Sequence, residues 1–238
     1  YRVAAWKKTK RVYDAHELFT EMKEVITRPA IQQSWLRIER SMVPRFAHGY
    51  TVSEGIAREF EKRYGVRYET IRNMPVLSAE EPVLAPLEEP YIIFYQGAVN
   101  EGRCFEQLIP AMKMVPARLV VCGDGNFMPQ LKELVRTHGL TDRVILKGMC
   151  TPEQLKSAAA RAHIGVGIAE REGLNQYLAL PNKFFDYIHA GLPQVTMQYP
   201  AYEELNKLYH VAVLIGDNKP EIIAAALNNL LHDPVVMQ

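Results

Sequence analysis

From residue 91 onward, short apolar runs alternate with segments of helical periodicity. The predicted strands cover residues 91–96, 118–122, 143–147, 163–168, 194–197 and 211–215. The predicted helices begin at 102 and cover 128–138, 152–160, 182–190, 201–208 and 219–231. This alternation predicts βαβ units and a parallel sheet that helices cover on both faces. Such sheets bind ligands beyond the carboxyl ends of their strands, so functional residues are expected in the loops that follow the strands.

The first part of the chain shows the same alternation over fewer elements. Its predicted strands and helices cover residues 11–14, 29–43, 49–52, 54–64 and 69–72, with Ser53 as an N-cap. Residues 75–90, rich in proline and glutamate, predict an extended linker. We therefore expect a partial N-terminal α/β lobe at 1–74 and a complete one at 91–238. The chain opens with a segment that resembles the end of a helix already under way, which predicts a truncated first lobe.

Charge and composition exclude several classes of function. Among the 238 residues, 28 basic side chains face 27 acidic ones, so the net charge of +1 argues against nucleic acid as a partner. The basic run at 7–11 is interpreted as a solvated helix end, and the arginines at 37, 40 and 45 as a solvated helix face, with contact to a membrane surface left open. The three cysteines lack metal-ligand or disulfide spacing, which favours a reducing cytoplasm. No apolar run reaches the roughly 18 residues of a membrane span, and no signal peptide is visible.

The most informative helix is predicted at 182–190. Pro181 is suited to its start, and Gly191 followed by Pro193 is suited to its end. Lys183 stands in the first turn, where its charge opposes the helix dipole unless an anion is bound there. This mismatch suggests a phosphate, although Lys183 and Asp186 could also form an ordinary surface pair.

Three other strand ends carry candidate residues. Gly97-Ala-Val-Asn-Glu-Gly-Arg103 offers tight turns and a bidentate phosphate donor. Cys-Gly-Asp-Gly-Asn at 122–126 has Met128 in place of the third glycine of a dinucleotide motif, so a tight turn is favoured over an NAD site. His16 and Glu17 follow strand 11–14, and His16 could be catalytic, sugar-contacting or merely structural.

Taken together, "VYDAHELF", "YQGAVNEGR", "VVCGDGN", "VILKGMCTPEQL" and "LPNKFFDYIHAGLP" resemble the retaining glycosyltransferases of family 4. The resemblance runs from about residue 11 to the end, in the same order, and is most specific at 180–193. It implies an α/β protein of the GT-B type, with two Rossmann-like lobes built on parallel sheets. Residues 91–231 resemble the lobe that binds the nucleotide sugar, and residues 1–74 the second half of the acceptor lobe.

The resemblance also implies roles for individual residues. Arg103 and Lys183 match cations that stabilise the departing diphosphate, and His16 matches the histidine at the reaction centre. Asp186 matches the acid that holds the ribose. Gly148 and Met149 match the loop whose backbone contacts the base, and the remaining donor-binding positions are Gly97, Glu170, Pro181 and Asn182.

Two positions depart from the family pattern. Leu178 stands where the family has the first glutamate of a pair, so Glu170 or Glu172 would have to replace it, and Ala98 stands where an arginine is common.

The implied activity is transfer of a sugar from a UDP- or GDP-sugar to a saccharide or lipid-linked acceptor. The resemblance implies retention of configuration, no metal and no cofactor, because Arg103 and Lys183 supply the positive charge. The expected location is the cytoplasm, and peripheral contact with the inner face of the membrane is left open. The alternatives are a UDP-sugar epimerase or hydrolase of the same fold and a non-catalytic nucleotide-sugar-binding scaffold.

Overall fold

The structure is a computed structural model that describes residues 2–76, 82, 84–86 and 88–233. Its strands are β1 Tyr13–Ala15, β2 Gly49–Thr51, β3 Glu69–Thr70, β4 Tyr91–Gln96, β5 Ala117–Cys122, β6 Val144–Gly148, β7 Ile164–Gly167, β8 Gln194–Met197 and β9 Ala212–Ile215. Its helices are α1 Arg2–Trp6, α2 Lys23–Ile26, α3 Pro29–Met42, α4 Glu54–Tyr64, α5 Phe105–Ala111, α6 Met128–Thr137, α7 Pro152–Ala159, α8 Leu174–Leu178, α9 Asn182–His189, α10 Pro200–Tyr209 and α11 Pro220–His232.

The predicted α/β class with parallel sheets is confirmed, and most element bounds agree within one or two residues. The helix predicted from residue 102 is a larger difference, because α5 begins only at Phe105. Gly102 and Cys104 have φ angles of 79° and 55°, so the backbone there is left-handed and delays the helix. The predicted linker 75–90 lies partly outside the described residues.

One compact unit comprises residues up to Asn73 together with Arg171–Leu180 and Tyr199–Ala201. Its three strands are parallel in the order β1-β2-β3. The core of this unit consists of Ala15, Leu18, Val43, Val52, Ile56, Phe60 and Tyr68. Ser53 caps α4 by accepting a hydrogen bond from the Ile56 N–H, as the sequence predicts.

The segment 171–180 belongs to this N-terminal unit, although it follows β7 in sequence. The Leu18 N–H donates to Asn175 Oδ1 at 2.8 Å, and the Ser53 hydroxyl donates to the Leu178 carbonyl at 2.7 Å. Asn175 is buried, so its side chain satisfies a backbone donor that would otherwise be orphaned. The N-terminal unit is therefore completed by residues far along the chain.

The second unit is built on six parallel strands in the order β6-β5-β4-β7-β8-β9. Successive strands run outward from β4 in one direction and from β7 in the other, so the order reverses between β4 and β7. This is the doubly wound arrangement in which a crevice forms at the carboxyl ends of the two central strands. Buried side chains beneath the sheet include Phe94, Val120, Cys122, Ala159, Ala162, Tyr187 and Leu192.

Candidate active site

The loops that follow β4, β5 and β6 are joined by backbone hydrogen bonds. The Gly97 N–H donates to the Cys122 carbonyl at 3.0 Å, and the Gly123 N–H donates to the Gly148 carbonyl at 2.8 Å. A Cβ atom on Gly123 would lie 1.8 Å from the Gly97 carbonyl oxygen, so only glycine permits this approach. The three loops therefore form a single rigid edge at the carboxyl ends of the strands.

Two asparagines hold the loop that leads to Arg103. Asn100 Oδ1 accepts from the Asn126 N–H at 3.2 Å, and Asn126 Oδ1 accepts from the Glu101 N–H at 3.3 Å. A Cβ on Gly125 would lie 2.2 Å from Asn100 Oδ1. The interpretation of 122–126 as a tight turn is confirmed, because its glycines serve close contact between loops.

Helix α9 begins at this edge without a side-chain cap. Pro181 occupies the N-cap position in an extended conformation, its side chain makes no capping hydrogen bond, and the first turn holds no acidic residue. The Phe184 N–H is satisfied by the Pro181 carbonyl at 3.0 Å. The N–H groups of Asn182 and Lys183 point out of the first turn, where the helix dipole favours an anion.

The Lys183 side chain extends across the ends of β4 and β7. Its Nζ lies 3.8 Å from the centre of the Tyr95 ring, a cation–π contact. Its aliphatic part passes Gly97 and Gly167: its Cε would lie 3.4 Å from a Cβ on Gly97, and its Cδ 3.6 Å from one on Gly167. The two glycines thus leave the space that this side chain fills.

The Lys183 side chain combines a lowered pKa with the lack of an anionic partner among the described residues. Burial lowers its pKa well below the usual value, and the nearby positive charge of Arg103 lowers it further. Within the described part of the chain no ion pair or hydrogen bond of its ammonium is found, and none with Asp186. The alternative of an ordinary Lys183–Asp186 surface pair is therefore not supported.

Arg103 lies close to the same group of side chains. Burial raises the pKa of Tyr95 and that of Tyr202 to about 12. The positive charge of Arg103 acts on both side chains in the opposite direction. The Glu170 N–H donates to the Gly102 carbonyl at 2.9 Å, which places the loop after β7 beside the loop that carries Arg103.

Asp186 lies one turn into α9 and contacts a residue that the sequence analysis did not select. The Gln96 amide donates to Asp186 Oδ2 at 2.5 Å. Burial raises the pKa of Asp186, while the positive charge of His189 and the Gln96 hydrogen bond act in the opposite direction. A polar residue ending the otherwise apolar run YIIFYQ was the signal that could have identified Gln96.

Gly148 and Met149 end β6 at the same edge. Gly148 has a φ of 70°, and Met149 is 77% exposed. A large exposed apolar side chain beside a glycine offers a surface on which a flat ring can pack. Their predicted contact with the base stays a prediction.

His16 lies in the N-terminal unit, at the end of β1. Its Nε2 is 3.0 Å from Asp14 Oδ1, and its Nδ1 is 3.1 Å from the Asn73 amide nitrogen. Asp14 also accepts a hydrogen bond from the Tyr50 hydroxyl, which raises the pKa of Tyr50. The role of His16 at the reaction centre stays a prediction.

The two candidates for the missing first glutamate have different surroundings. Glu172 lies in the N-terminal unit and forms an ion pair with Lys23 at 3.2 Å. Leu178 packs against the core of that unit, 3.0 Å from the Cβ position of Gly55. Glu170 belongs to the same unit as Lys183 and Asp186, which favours Glu170 as the donor-site residue.

Among the described residues there is neither a helix that could span a membrane nor a cluster of metal ligands. No helix in the ranges given above has the length and apolar character needed to cross a membrane. Nor do three or more His, Cys, Asp or Glu side chains of the described residues form a group that could hold a metal ion.

Comparison with known proteins adds a family and a fold. The sequence model of the family described as "Glycosyl transferases group 1" matches residues 78–238. The alpha-D-kanosaminyltransferase of Streptomyces kanamyceticus is 24% identical over 160 residues, covering 62% of this chain and 38% of that protein.

Two solved structures share the fold over nearly the whole chain. HepE of Anabaena, in complex with UDP and glucose, superposes with a TM-score of 0.79 at 14% identity, covering 98% of this chain and 65% of HepE. Sucrose-phosphate synthase of Thermosynechococcus elongatus gives a TM-score of 0.79 at 18% identity, covering 99% of this chain and 63% of that one. This chain therefore spans less than two thirds of these relatives, and the predicted GT-B type is confirmed.

Proposed function

We propose that this chain, which belongs to the glycosyl transferases group 1 family, binds a nucleotide sugar in its second unit and transfers the sugar to an acceptor. UDP- and GDP-sugars are the donors that we consider. The proposal assigns the diphosphate to the first turn of α9 and the ribose to Asp186.

The observation that carries this proposal is the environment of Lys183. A partly buried ammonium beside a second cation is costly unless an anion neutralises it. Here the first turn of α9 has no side-chain cap, and the Lys183 side chain lies against Gly97 and Gly167, at the ends of the two strands between which the order reverses. A diphosphate, with several negative oxygens, fits such a site better than a single carboxylate does.

The same residues suit the chemistry of glycosyl transfer. Breaking the bond between the sugar and the diphosphate builds negative charge on the diphosphate and positive character on the sugar ring. Cations and helix N–H groups already aimed at the diphosphate stabilise that charge without reorganising. Because Lys183 and Arg103 supply positive charge, we propose that the reaction needs no metal, and, from the family resemblance, that it retains configuration.

The acceptor is proposed to be a saccharide or a lipid-linked saccharide. HepE was solved with UDP and glucose, and the curated relative is an aminosugar transferase by name, which supports UDP-sugars and saccharides as the substrate class. We propose that the protein is located in the cytoplasm. We also propose that His16 acts at the sugar.

The test is thermal unfolding of the chain with saturating UDP, GDP or NAD. A ligand present at about 100 times its dissociation constant adds about 2.7 kcal/mol of stability, which raises the Tm of a chain this size by roughly 5–10 °C. We expect this shift with UDP or GDP, its loss in Arg103→Ala, and no shift with NAD. A shift with NAD alone would overturn the proposal in favour of a dehydrogenase, and no shift with any of the three nucleotides would overturn the assignment of the second unit as a nucleotide-sugar site.

Nucleotide binding is also expected to weaken as pH rises through the lowered pKa of Lys183. The pKa of Lys183 in the folded chain lies well below its usual value of 10.5. These two pKa values define a pH window in which the lysine of the folded chain has lost its proton. The unfolded chain still holds the proton there, so the free protein becomes more stable as pH rises through the window. The bound state needs the charged lysine, so affinity for the nucleotide falls over the same range.

Calorimetric titration of UDP or GDP at a series of pH values below 10.5, with the wild type and Lys183→Arg, checks this prediction. Arginine stays charged throughout, so the affinity of a binding arginine variant should fall less with rising pH than that of the wild type. Identical pH profiles for the wild type and for a binding Lys183→Arg variant would show that Lys183 does not control the pH dependence.

A further inference from the structure

Gln96 is the last residue of β4, and both its side chain and its backbone N–H form hydrogen bonds with α9. Its side chain is only 8% exposed and donates to Asp186 Oδ2 at 2.5 Å. Its backbone N–H donates to the Tyr187 hydroxyl at 3.1 Å. Two consecutive residues of α9 are thus tied to one residue of the central strand.

Tyr187 makes this arrangement rigid. Its buried hydroxyl lies 3.3 Å from the carbonyl oxygens of both Phe94 and Val166, so it bridges the two strands where the order reverses. A Cβ on Gly165 would lie 2.6 Å from the Tyr187 ring, so glycine at this position makes room for the ring. Contacts with strands on both sides fix the position of the Tyr187 side chain and of the helix residues next to it.

The hydrogen bond from Gln96 occupies only one oxygen of Asp186. The other, Oδ1, is left to accept a hydrogen bond from a ligand. Asp186 is half-buried and follows Lys183 by three residues, so the two side chains lie on the same side of α9, about 5–6 Å apart at their Cβ atoms. A carboxylate repels phosphate and accepts from hydroxyls, and the ribose supplies the hydroxyls that come next after the diphosphate in a nucleotide.

We propose that Gln96 is a positioning residue of the donor site, which turns Asp186 so that its free oxygen faces the ribose hydroxyls. The inference rests on the proposed function, because it needs a nucleotide in the site. It adds a residue through which the central strand controls recognition of the ribose.

A comparison of nucleotides with and without ribose hydroxyls tests this role. Calorimetry would measure UDP and GDP, each beside its 2′,3′-dideoxy form, with the wild type and Gln96→Leu. We expect Gln96→Leu to weaken UDP or GDP by about tenfold, the value of one hydrogen bond to a charged group. The dideoxy forms should bind the wild type about as weakly as UDP or GDP binds Gln96→Leu. They should bind the wild type and the variant equally, because Gln96 acts only through the hydroxyls that these forms lack.

Gln198→Leu is the matched control. Gln198 also donates its amide to a carboxylate, Glu203 Oε1 at 2.7 Å, but this pair is exposed. Its loss should leave all four affinities unchanged. Equal weakening of ribose and dideoxy nucleotides by Gln96→Leu, or no weakening of either, would overturn the positioning role. If the wild type bound none of the four nucleotides, the proposed function itself would fail, which is a different result.

Gln96→Glu provides a second variant should Gln96→Leu not fold. Two carboxyl groups this close share one proton, so the pair would be protonated near neutral pH. Binding of the ribose nucleotide, relative to the wild type at the same pH, should then be stronger at pH 6 than at pH 8. A pH-independent ratio would contradict the proposal.

Discussion

Lys183→Ala is expected to weaken binding of UDP or GDP about 100-fold, while the nucleotide-free protein unfolds at the same temperature as the wild type or higher. The loss of affinity corresponds to about 2.7 kcal/mol, within the range for removing a charge-assisted donor from an anion site. The gain in stability follows from removing a buried charge without an anionic partner, whose pKa is already lowered by burial and by Arg103. Few substitutions at a binding site combine these two effects.

Calorimetry for binding and a thermal scan without ligand measure the two effects separately. Lys207→Ala is the matched control, since Lys207 is an exposed lysine on α10 of the same unit. It should change neither quantity. A Lys183→Ala variant that binds nucleotide normally would show that the first turn of α9 is not the diphosphate site. A variant that loses stability would show instead that Lys183 is mainly a packing residue.

Gly123→Ala is expected to cost about 3 kcal/mol or more of the free energy of unfolding and to abolish nucleotide binding. The added methyl group would meet the Gly97 carbonyl oxygen at 1.8 Å, and that carbonyl belongs to the backbone of the neighbouring loop. A flexible side chain could move aside, but the loops after β4 and β5 are joined by hydrogen bonds and would have to separate.

Urea unfolding of the variant, followed by circular dichroism, measures this cost. Gly139→Ala is the control, because Gly139 also has a positive φ, of 67°, but no atom lies within 4 Å of its Cβ position. That change should cost only about 1 kcal/mol of backbone strain. Equal costs for the two variants would mean that the contact between the loops contributes nothing to stability.

Local sequence patterns predicted the second unit closely because its elements carry strong local signals. Strand β4 was predicted with its observed bounds, since an apolar run ends at a glycine that must turn. Helix α9 was predicted within one residue, since Pro181 and Gly191 mark its ends. The conflict of Lys183 with the helix dipole singles it out in the sequence, while in the structure burial and the charge of Arg103 lower its pKa.

What the sequence could not predict depends on partners far along the chain. Nothing near Asn175 indicates that its side chain will accept from the Leu18 N–H, 157 positions away. The hydrogen bond between Gln96 and Asp186 joins residues 90 positions apart. Helical and strand periodicity contain no information on such pairs, because they record only which face of an element is apolar.

The return of residues 171–180 to the N-terminal unit bears on protein engineering. Chimeras that exchange donor specificity would ordinarily be joined once, in the proline-rich segment before β4. Such a graft would import a foreign copy of Asn175 and Leu178, which here complete the hydrogen bonds and core of the N-terminal unit. A compatible exchange therefore needs five seams, one before β4 and one at each end of 171–180 and of 199–201, so that both segments stay with the residues they pack against.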